Sequence, residues 1–293
     1  MPIRINEKSM ETIPHSCLVK LQAIYDSLKS AEKKAADLLL EKPEFFGGAT
    51  IVDAAEAAGC SEATLVRLAR KLGYGGYPEL KAILIQDRDE NPAQLYKGIT
   101  EDDDYITIAE KVFRASIQAL EDTLNILDRD KYKMAVDAMC GAKRLVFCGV
   151  GDAAAVARSG FQKFIRVGMN VQASEDMDVQ LIAVSHLSKG DVVVAISHSG
   201  RTKSVVDIVK FARSTGATVI SITNYPVSPL AKNSDIVLLT AAFAEHVKGE
   251  VMSKRVAELC VLESLYVNVL LKCKSQLAGE LERSNLGLQV NKL

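Results

Sequence analysis

The amino-acid sequence predicts an α/β chain of 293 residues: an all-α N-terminal domain over 1–85, a linker over 86–104, and a doubly wound parallel sheet with flanking helices over 105–293. Three observations predict it. Residues 50–73 hold two short helical patterns separated by a glycine, the spacing of a helix-turn-helix. From Gly141 onward, short runs rich in Val and Ile alternate with helical patterns, which specifies parallel strands joined by crossover helices. Within that region Asp191-Val-Val-Val-Ala-Ile-Ser-His-Ser-Gly-Arg-Thr202 runs from a buried strand straight into a turn holding three hydroxyls, a glycine and an arginine.

Taken in order, residues 18–41 carry Leu21, Ile24, Leu28, Ala35, Leu38 and Leu39 at helical spacing, and Ser30 reads as the N-cap where two helices meet. Pro43 with Gly47 and Gly48 is expected to end the second. Thr50 caps a helix through Ala58, Gly59 makes the turn, and Ser61 caps a third helix through Leu72 that Gly73 terminates. The buried stripe of that helix draws on Ala63, Val66, Leu68, Ala69 and Leu72. Glu62, Thr64, Arg67, Arg70 and Lys71 are left for the outer face, a surface suited to a DNA groove. There Ser61, Glu62, Thr64 and Arg67 would approach base edges and Arg70 and Lys71 phosphates, with Thr50 at the start of the preceding helix.

Charge supports this reading only locally. Residues 1–90 hold 12 Lys and Arg against 14 Asp and Glu, a balance of −2, whereas residues 61–81 balance at +2. A patch of that size implies binding reinforced by duplication in an oligomer. An ordinary three-helix bundle with a solvated basic face is the competing explanation.

Residues 86–104, with Asn91-Pro92 and Glu101-Asp-Asp-Asp104, read as a charged loop. Two helices follow, over 106–127 and 130–139, and then strands over 144–150, 170–173, 191–196, 218–222 and 235–239. Helices over 153–167, 179–185 and 203–215 lie between them; a last helix covers 254–274, and a polar tail follows Gly279.

In such a sheet, ligands bind beyond the carboxyl ends of the strands. Those ends supply Gly149-Val-Gly-Asp-Ala153, Ser174-Glu-Asp176, Ser197–Thr202 and Thr223-Asn224. Ser197, Ser199 and Thr202 can each donate to a phosphate oxygen, Gly200 permits close backbone approach, and the start of the next helix presents N–H groups. A single capping residue would account for one hydroxyl, not three around a glycine. His198 completes the turn, although a lone histidine after a strand more often packs than binds. A dinucleotide fingerprint is incomplete, because Ala154 stands where the third glycine belongs, and no phosphate loop of the G-x-x-x-x-G-K-[ST] kind occurs.

Composition bounds the rest. Hydrophobic residues make up 48% and charged residues 25%, and the formal charge of −1 gives no global attraction to nucleic acid or anionic membrane. Six cysteines, at 17, 60, 140, 148, 260 and 273, show no C-x-x-C pair and no metal spacing with the four histidines, so they read as reduced thiols mostly in cores, and no metal or cofactor is expected. No uncharged run reaches the roughly 18 residues a membrane helix needs, and the N-terminal residues lack a signal-peptide pattern. A cytoplasmic location without membrane contact is the expectation.

Ser197-x-Ser199-Gly200-x-Thr202, with Gly149-x-Gly151, resembles the sugar isomerase domain, abbreviated SIS, which binds phosphosugars on a three-layer α/β/α fold. Residues 61–81 are similar to the helix-turn-helix of the RpiR family of bacterial transcriptional regulators, and the order of the two segments is that family's architecture. The resemblance implies a non-catalytic regulator, a homodimer or homotetramer, that binds a double-stranded DNA operator and a sugar phosphate effector. By position it implies that Ser197, Ser199 and Thr202 bind the phosphate, with Gly151 in the loop across from them; Asp152, His198 and Gly200 complete the candidate effector site read from the residues, and Thr50, Ser61, Glu62, Thr64, Arg67, Arg70 and Lys71 the candidate DNA-binding face. One departure is Ala153, where many SIS domains carry a serine; the preceding Asp152 would meet a sugar hydroxyl or cap the helix instead. The alternative is a sugar phosphate isomerase or lyase on the same scaffold, for which Glu175, Glu245, His246 and Glu250 are loose general-base candidates.

Overall fold

A computed structural model describes residues 17–89, 99–100, 102–243 and 253–291. The chain divides into two compact units, one carrying the N-terminal helices through Ala115 and the other the sheet with its flanking helices.

The first unit opens with α1 (Cys17–Ile24), α2 (Ser30–Glu41), α3 (Pro43–Gly48), α4 (Ile51–Ala58), α5 (Glu62–Lys71) and α6 (Tyr77–Asp89). The start of α2 lies one residue earlier than Ser30 suggested: Lys29 is the N-cap, and the Glu32 carboxylate accepts its backbone N–H at 2.8 Å. Pro43 does not simply stop α2; it occupies the first turn of α3, where its missing N–H costs nothing. Thr50 caps α4 as expected, accepting from the Asp53 N–H at 3.2 Å while Asp53 returns a bond to the Thr50 N–H at 3.2 Å. Gly59 then turns the chain with φ 61°, and Gly73 follows α5 with φ 88°.

The core of this unit is built from Leu39, Phe46, Leu65, Leu68, Ala69 and Leu80, all fully buried. Here the stripe on α5 differs from the predicted one. Leu65 and Thr64 face inward, and Ala63 is exposed. Thr64 tolerates burial because its hydroxyl lies 2.9 Å from Ser61 Oγ and accepts from Arg67 Nη2 at 3.1 Å. The expected loop from 86 begins instead as helix, since α6 runs on to Asp89; residues 90–98 lie outside the described residues.

α7 (Tyr105–Ile126) and α8 (Arg129–Cys140) precede β1 (Leu145–Cys148), α9 (Asp152–Ile165), β2 (Val171–Ala173) and α10 (Met177–Ser185). β3 (Val192–Ile196), α11 (Lys203–Ser214), β4 (Thr218–Thr223), α12 (Pro229–Lys232), β5 (Ile236–Leu239), α13 (Lys254–Lys272) and α14 (Lys274–Gln289) complete the chain. The five strands are parallel in the order β2-β1-β3-β4-β5. β3 is buried along its whole length because both sheet faces are covered. Val192, Val194 and Ile196 pack with residues of α8, α9 and α13, and Val193 and Ala195 with residues of α10 and α11.

Asp191 stands just before β3 rather than in it. Its carboxylate, 1% exposed, pairs with Arg144 at 2.6 Å and accepts the Ser188 N–H at 2.8 Å, and the Arg144 bond holds it below the usual carboxylate range. The expected polar tail after Gly279 is helical. α14 forms because Leu277 and Leu281 pack on the sheet's core and Ser284 Oγ donates to the Arg166 carbonyl at 2.7 Å. Of the six cysteines only Cys17, Cys148 and Cys273 are buried, and all six are free thiols.

Candidate functional site

In the order β2-β1-β3 the chain leaves β1 toward one face of the sheet and β3 toward the other. The two carboxyl ends diverge there and open a crevice between them. Their register, Phe147 beside Val194 and Cys148 beside Ala195, brings Gly149 level with the residues leading into Ser197.

Gly149 is required on the β1 side: an added Cβ would lie 2.7 Å from the Ala153 carbonyl oxygen. Gln180, 1% exposed, pins this loop by donating to the Gly149 carbonyl at 3.0 Å. Gly151 has φ 60° and precedes α9 as its N-cap, so no side chain caps that helix. Asp152, expected to meet a sugar hydroxyl or to cap α9, is the first residue of that helix, and Gly151 takes the cap position. The Asp152 carboxylate pairs with Arg255 Nη2 at 2.8 Å and Lys254 Nζ at 3.2 Å. Burial works to raise this group, but the hydrogen bonds from Arg255 and Lys254 prevail and hold it low.

On the β3 side, Ser197 and Thr202 face each other with oxygens 3.2 Å apart, and the Ser199 hydroxyl accepts the Arg201 N–H at 3.2 Å. None of the three caps α11: Thr202 is the N-cap by backbone conformation, yet its side chain accepts no helix N–H. The first N–H groups of α11 therefore face the turn uncapped by its hydroxyls. Gly200, with φ 61°, packs against α12; a Cβ there would overlap the Ser228 side chain and come within 3.0 Å of Thr223 Oγ1. Thr223 Oγ1 donates to the His198 carbonyl at 3.1 Å, and the Asn224 N–H does so at 3.0 Å, which fixes the turn to the end of β4.

The His198 ring packs edge-on against Tyr225 at 5.9 Å. Burial, reinforced by the charges of Arg255 and Lys254, lowers its imidazole to about 4, so it is neutral at physiological pH. At the start of α13, Glu258 is fully buried, and its Oε2 accepts from Arg255 Nη1. Burial pushes its carboxyl up to about 7 against the opposing charge of Arg255. His198 Nδ1, Ser253 Oγ, Arg255 Nε and Glu258 Oε1 are buried polar atoms without a hydrogen-bond partner among the described residues.

Ser253, Lys254, Arg255 and Glu258 escaped the sequence reading. Their only local signal is Arg255-x-x-Glu258, one helical turn apart at the head of a helix, a spacing that solvated ion pairs share. Of the general-base candidates for an enzyme, Glu175 is exposed near Arg158 at 3.6 Å, while Glu245, His246 and Glu250 lie outside the described residues. No group of three or more metal-ligating side chains occurs among the described residues.

In the first unit, Ser61, Glu62, Arg67, Arg70 and Lys71 are exposed on or beside α5, and Thr50 is exposed at the start of α4. Thr64 is the correction: it is 2% exposed and braces Ser61 and Arg67 from below, so it does not reach outward. Lys71 Nζ is engaged by the buried Glu32 at 2.7 Å. Ala63 and the half-buried Val66 join the outward face in its place.

A helix-turn-helix unit followed by a parallel α/β unit with a hydroxyl-lined crevice defines a class, the one-chain DNA-binding regulators with a ligand-binding domain. Residues 15–91 match the helix-turn-helix domain of the rpiR family, and residues 139–268 match the SIS domain. The chain belongs to the rpiR-type family of HTH-type transcriptional regulators. It is 37% identical to an HTH-type transcriptional regulator of Thermotoga maritima over 249 residues, 84% of this chain and 89% of the relative. It is 33% identical to HexR of Pseudomonas aeruginosa over 255 residues, 87% of this chain and 89% of HexR. Among solved structures, the Vibrio vulnificus NanR protein complexed with ManNAc-6P aligns over 93% of this chain and 98% of its own, with TM-score 0.61 and 26% identity. The sugar isomerase domain of an RpiR transcription factor from Sphaerobacter thermophilus shares the fold, with TM-score 0.56 over 61% of this chain and 98% of its own at 22% identity. No helix among the described residues is long and apolar enough to cross a membrane.

Proposed function

We propose that this regulator's operator binding is set by a phosphorylated sugar held at the carboxyl ends of β1 and β3. The observation that carries the reading is the turn itself: three hydroxyls surround Gly200, and none caps the helix that follows. A phosphate there receives hydrogen bonds from Ser197, Ser199 and Thr202 and meets the positive end of α11. His198, Gly151 and Asp152 border the rest of the ligand. The unpartnered atoms of Ser253, Arg255 and Glu258 supply both donors and acceptors, the requirement of a polyhydroxyl chain. The full-length likeness to NanR complexed with ManNAc-6P supports this ligand class.

The outward face of α5 reads the major groove, with Arg67 toward bases and Arg70 toward phosphates. The regulator acts as a homodimer or homotetramer, which presents the modest basic patch more than once, and as a DNA-bound protein it works in the cytoplasm. It turns over nothing. The isomerase reading retains one specific observation, the buried Glu258 carboxyl near neutrality, which is the form a general base takes. Conversion of a hexose or amino-sugar phosphate by the purified chain would decide for it.

Selection of bound duplexes from a random pool tests the DNA half. The wild type is expected to enrich a defined sequence, and Arg67→Ala to bind it more weakly by roughly 1–3 kcal/mol, about fivefold to 150-fold, with relaxed base preference. Arg67→Ala should leave melting shifts induced by sugar phosphates unchanged. Absence of any enriched sequence for the wild type would sink the reading.

A further inference from the structure

Between α2 and α5 the first unit carries a cleft of about 350 Å³ lined by Lys29, Ala31, Glu32, Arg67, Arg70 and Lys71. Four cationic residues and one carboxylate thus line it. Glu32 is already committed: it accepts Lys71 Nζ at 2.7 Å and the Lys29 N–H at 2.8 Å, and the Lys71 bond holds it below the usual carboxylate range. The Glu32–Lys71 pair therefore forms a neutral wall, and the same carboxylate occupies the N-terminus of α2. Lys29, Arg67 and Arg70 remain as exposed cations around the cleft, and one Arg67 nitrogen donates to Thr64 at 3.1 Å. Glu32 is the one acid lining the cleft and draws on Lys29 as well as Lys71, so the lining keeps a surplus of positive charge that favours an anionic occupant.

The occupant's class follows from where the cleft lies. Arg67 and Arg70 belong to the outward face of α5, so the cleft continues the surface that meets DNA in the reading above. We infer that the cleft seats a backbone phosphate of the operator, with Lys29 as a contact contributed from outside the helix-turn-helix. This inference rests on the DNA-binding reading. Lys29 and Arg70 grip the phosphate, and the Glu32–Lys71 pair fixes α2 against α5 so that the two cations stay in register. Phosphate contacts of this kind position a protein without reading sequence.

Fluorescence anisotropy with a random-sequence DNA duplex, over a series of salt concentrations, tests it on the full chain. Compared with wild type, Lys29→Gln is expected to reduce the slope of log affinity against log salt by about 1 per bound protomer, with an equal loss on a selected operator. Lys29→Arg is expected to retain the wild-type slope, which separates a phosphate contact from a structural role for the residue. An unchanged slope for Lys29→Gln would overturn the inference while leaving DNA binding intact. So would saturable stabilisation of the wild type by inorganic phosphate that Lys29→Gln abolishes without affecting duplex binding, because the cleft would then serve a small anion. A wild-type chain that binds no duplex at all would instead overturn the DNA-binding reading itself.

Discussion

Ser199→Ala combined with Thr202→Ala is expected to abolish the stabilisation that a sugar phosphate confers on the wild-type chain. Each hydroxyl donating to a charged oxygen contributes about 1.5–3 kcal/mol, so losing two weakens binding by roughly 3–6 kcal/mol, on the order of a hundredfold to ten-thousandfold. At a ligand concentration of about 100 times the wild-type Kd, linkage stabilises the native state by about 2.7 kcal/mol. A weakening of a hundredfold or more brings the variant to about 0.4 kcal/mol or less at the same concentration. With about 2–4 °C of Tm per kcal/mol for a domain of this size, the wild-type shift of roughly 5–10 °C should collapse to about 1 °C. The fold should survive, since neither hydroxyl caps α11 and Thr202 bonds only another hydroxyl of the same turn. Equal ligand-induced shifts in wild type and double variant would place the phosphate elsewhere.

The second large effect concerns two buried groups that titrate in opposite senses. Glu258 is raised from 4.5 to about 7, by burial first. The folded chain keeps a proton that the unfolded chain has released, so the stability it contributes is complete below about 4.5 and is lost as pH rises through 7. His198 is lowered from 6.5 to about 4, again by burial first and then by Arg255 and Lys254. Here the unfolded chain binds the extra proton, so the contribution is complete above 6.5 and is lost as pH falls toward 4. Each displacement corresponds to about 3 kcal/mol, and the two windows overlap, so in the wild type they largely cancel. Asp152 faces both groups but is itself held low, outside the window.

Glu258→Gln is therefore expected to gain stability by up to about 3 kcal/mol between roughly pH 4.5 and pH 6.5, exposing the histidine limb. His198→Asn is expected to lose a comparable amount over the same range. Urea unfolding at several pH values measures both. Parallel profiles for the two variants would show that these groups do not titrate as their burial dictates.

How far the fold could be read from the residues differs by element. β3 and its turn were plain because a strand covered on both faces is an unbroken apolar run, and Gly200 marks the one place where Ser228 approaches too closely for a side chain. The stripe of α5 was not, because Ala63, Leu65, Val66, Leu68 and Ala69 fill more than one face of a helix. Side-chain size decided it: the leucines go inward, and Thr64 follows because Ser61 and Arg67 satisfy its hydroxyl. α14 was hidden by Gly279 and weak amphipathicity, and its anchors, such as Ser284 on Arg166, are remote in sequence. Lys254, Arg255 and Glu258 were invisible for the same reason. A charged helix start reads as solvated until the fold sets it against Asp152 and His198.

If one ligand site governs DNA affinity, coupling demands that the ligand bind the DNA-competent and DNA-incompetent states unequally. Affinity for a selected duplex, measured with and without each member of a panel of sugar phosphates, tests this most directly. At least one phosphorylated sugar is expected to change that affinity about fivefold to 150-fold, and the Ser199→Ala, Thr202→Ala chain to bind the duplex without responding. Tight duplex binding that no sugar phosphate alters in the wild type would contradict it.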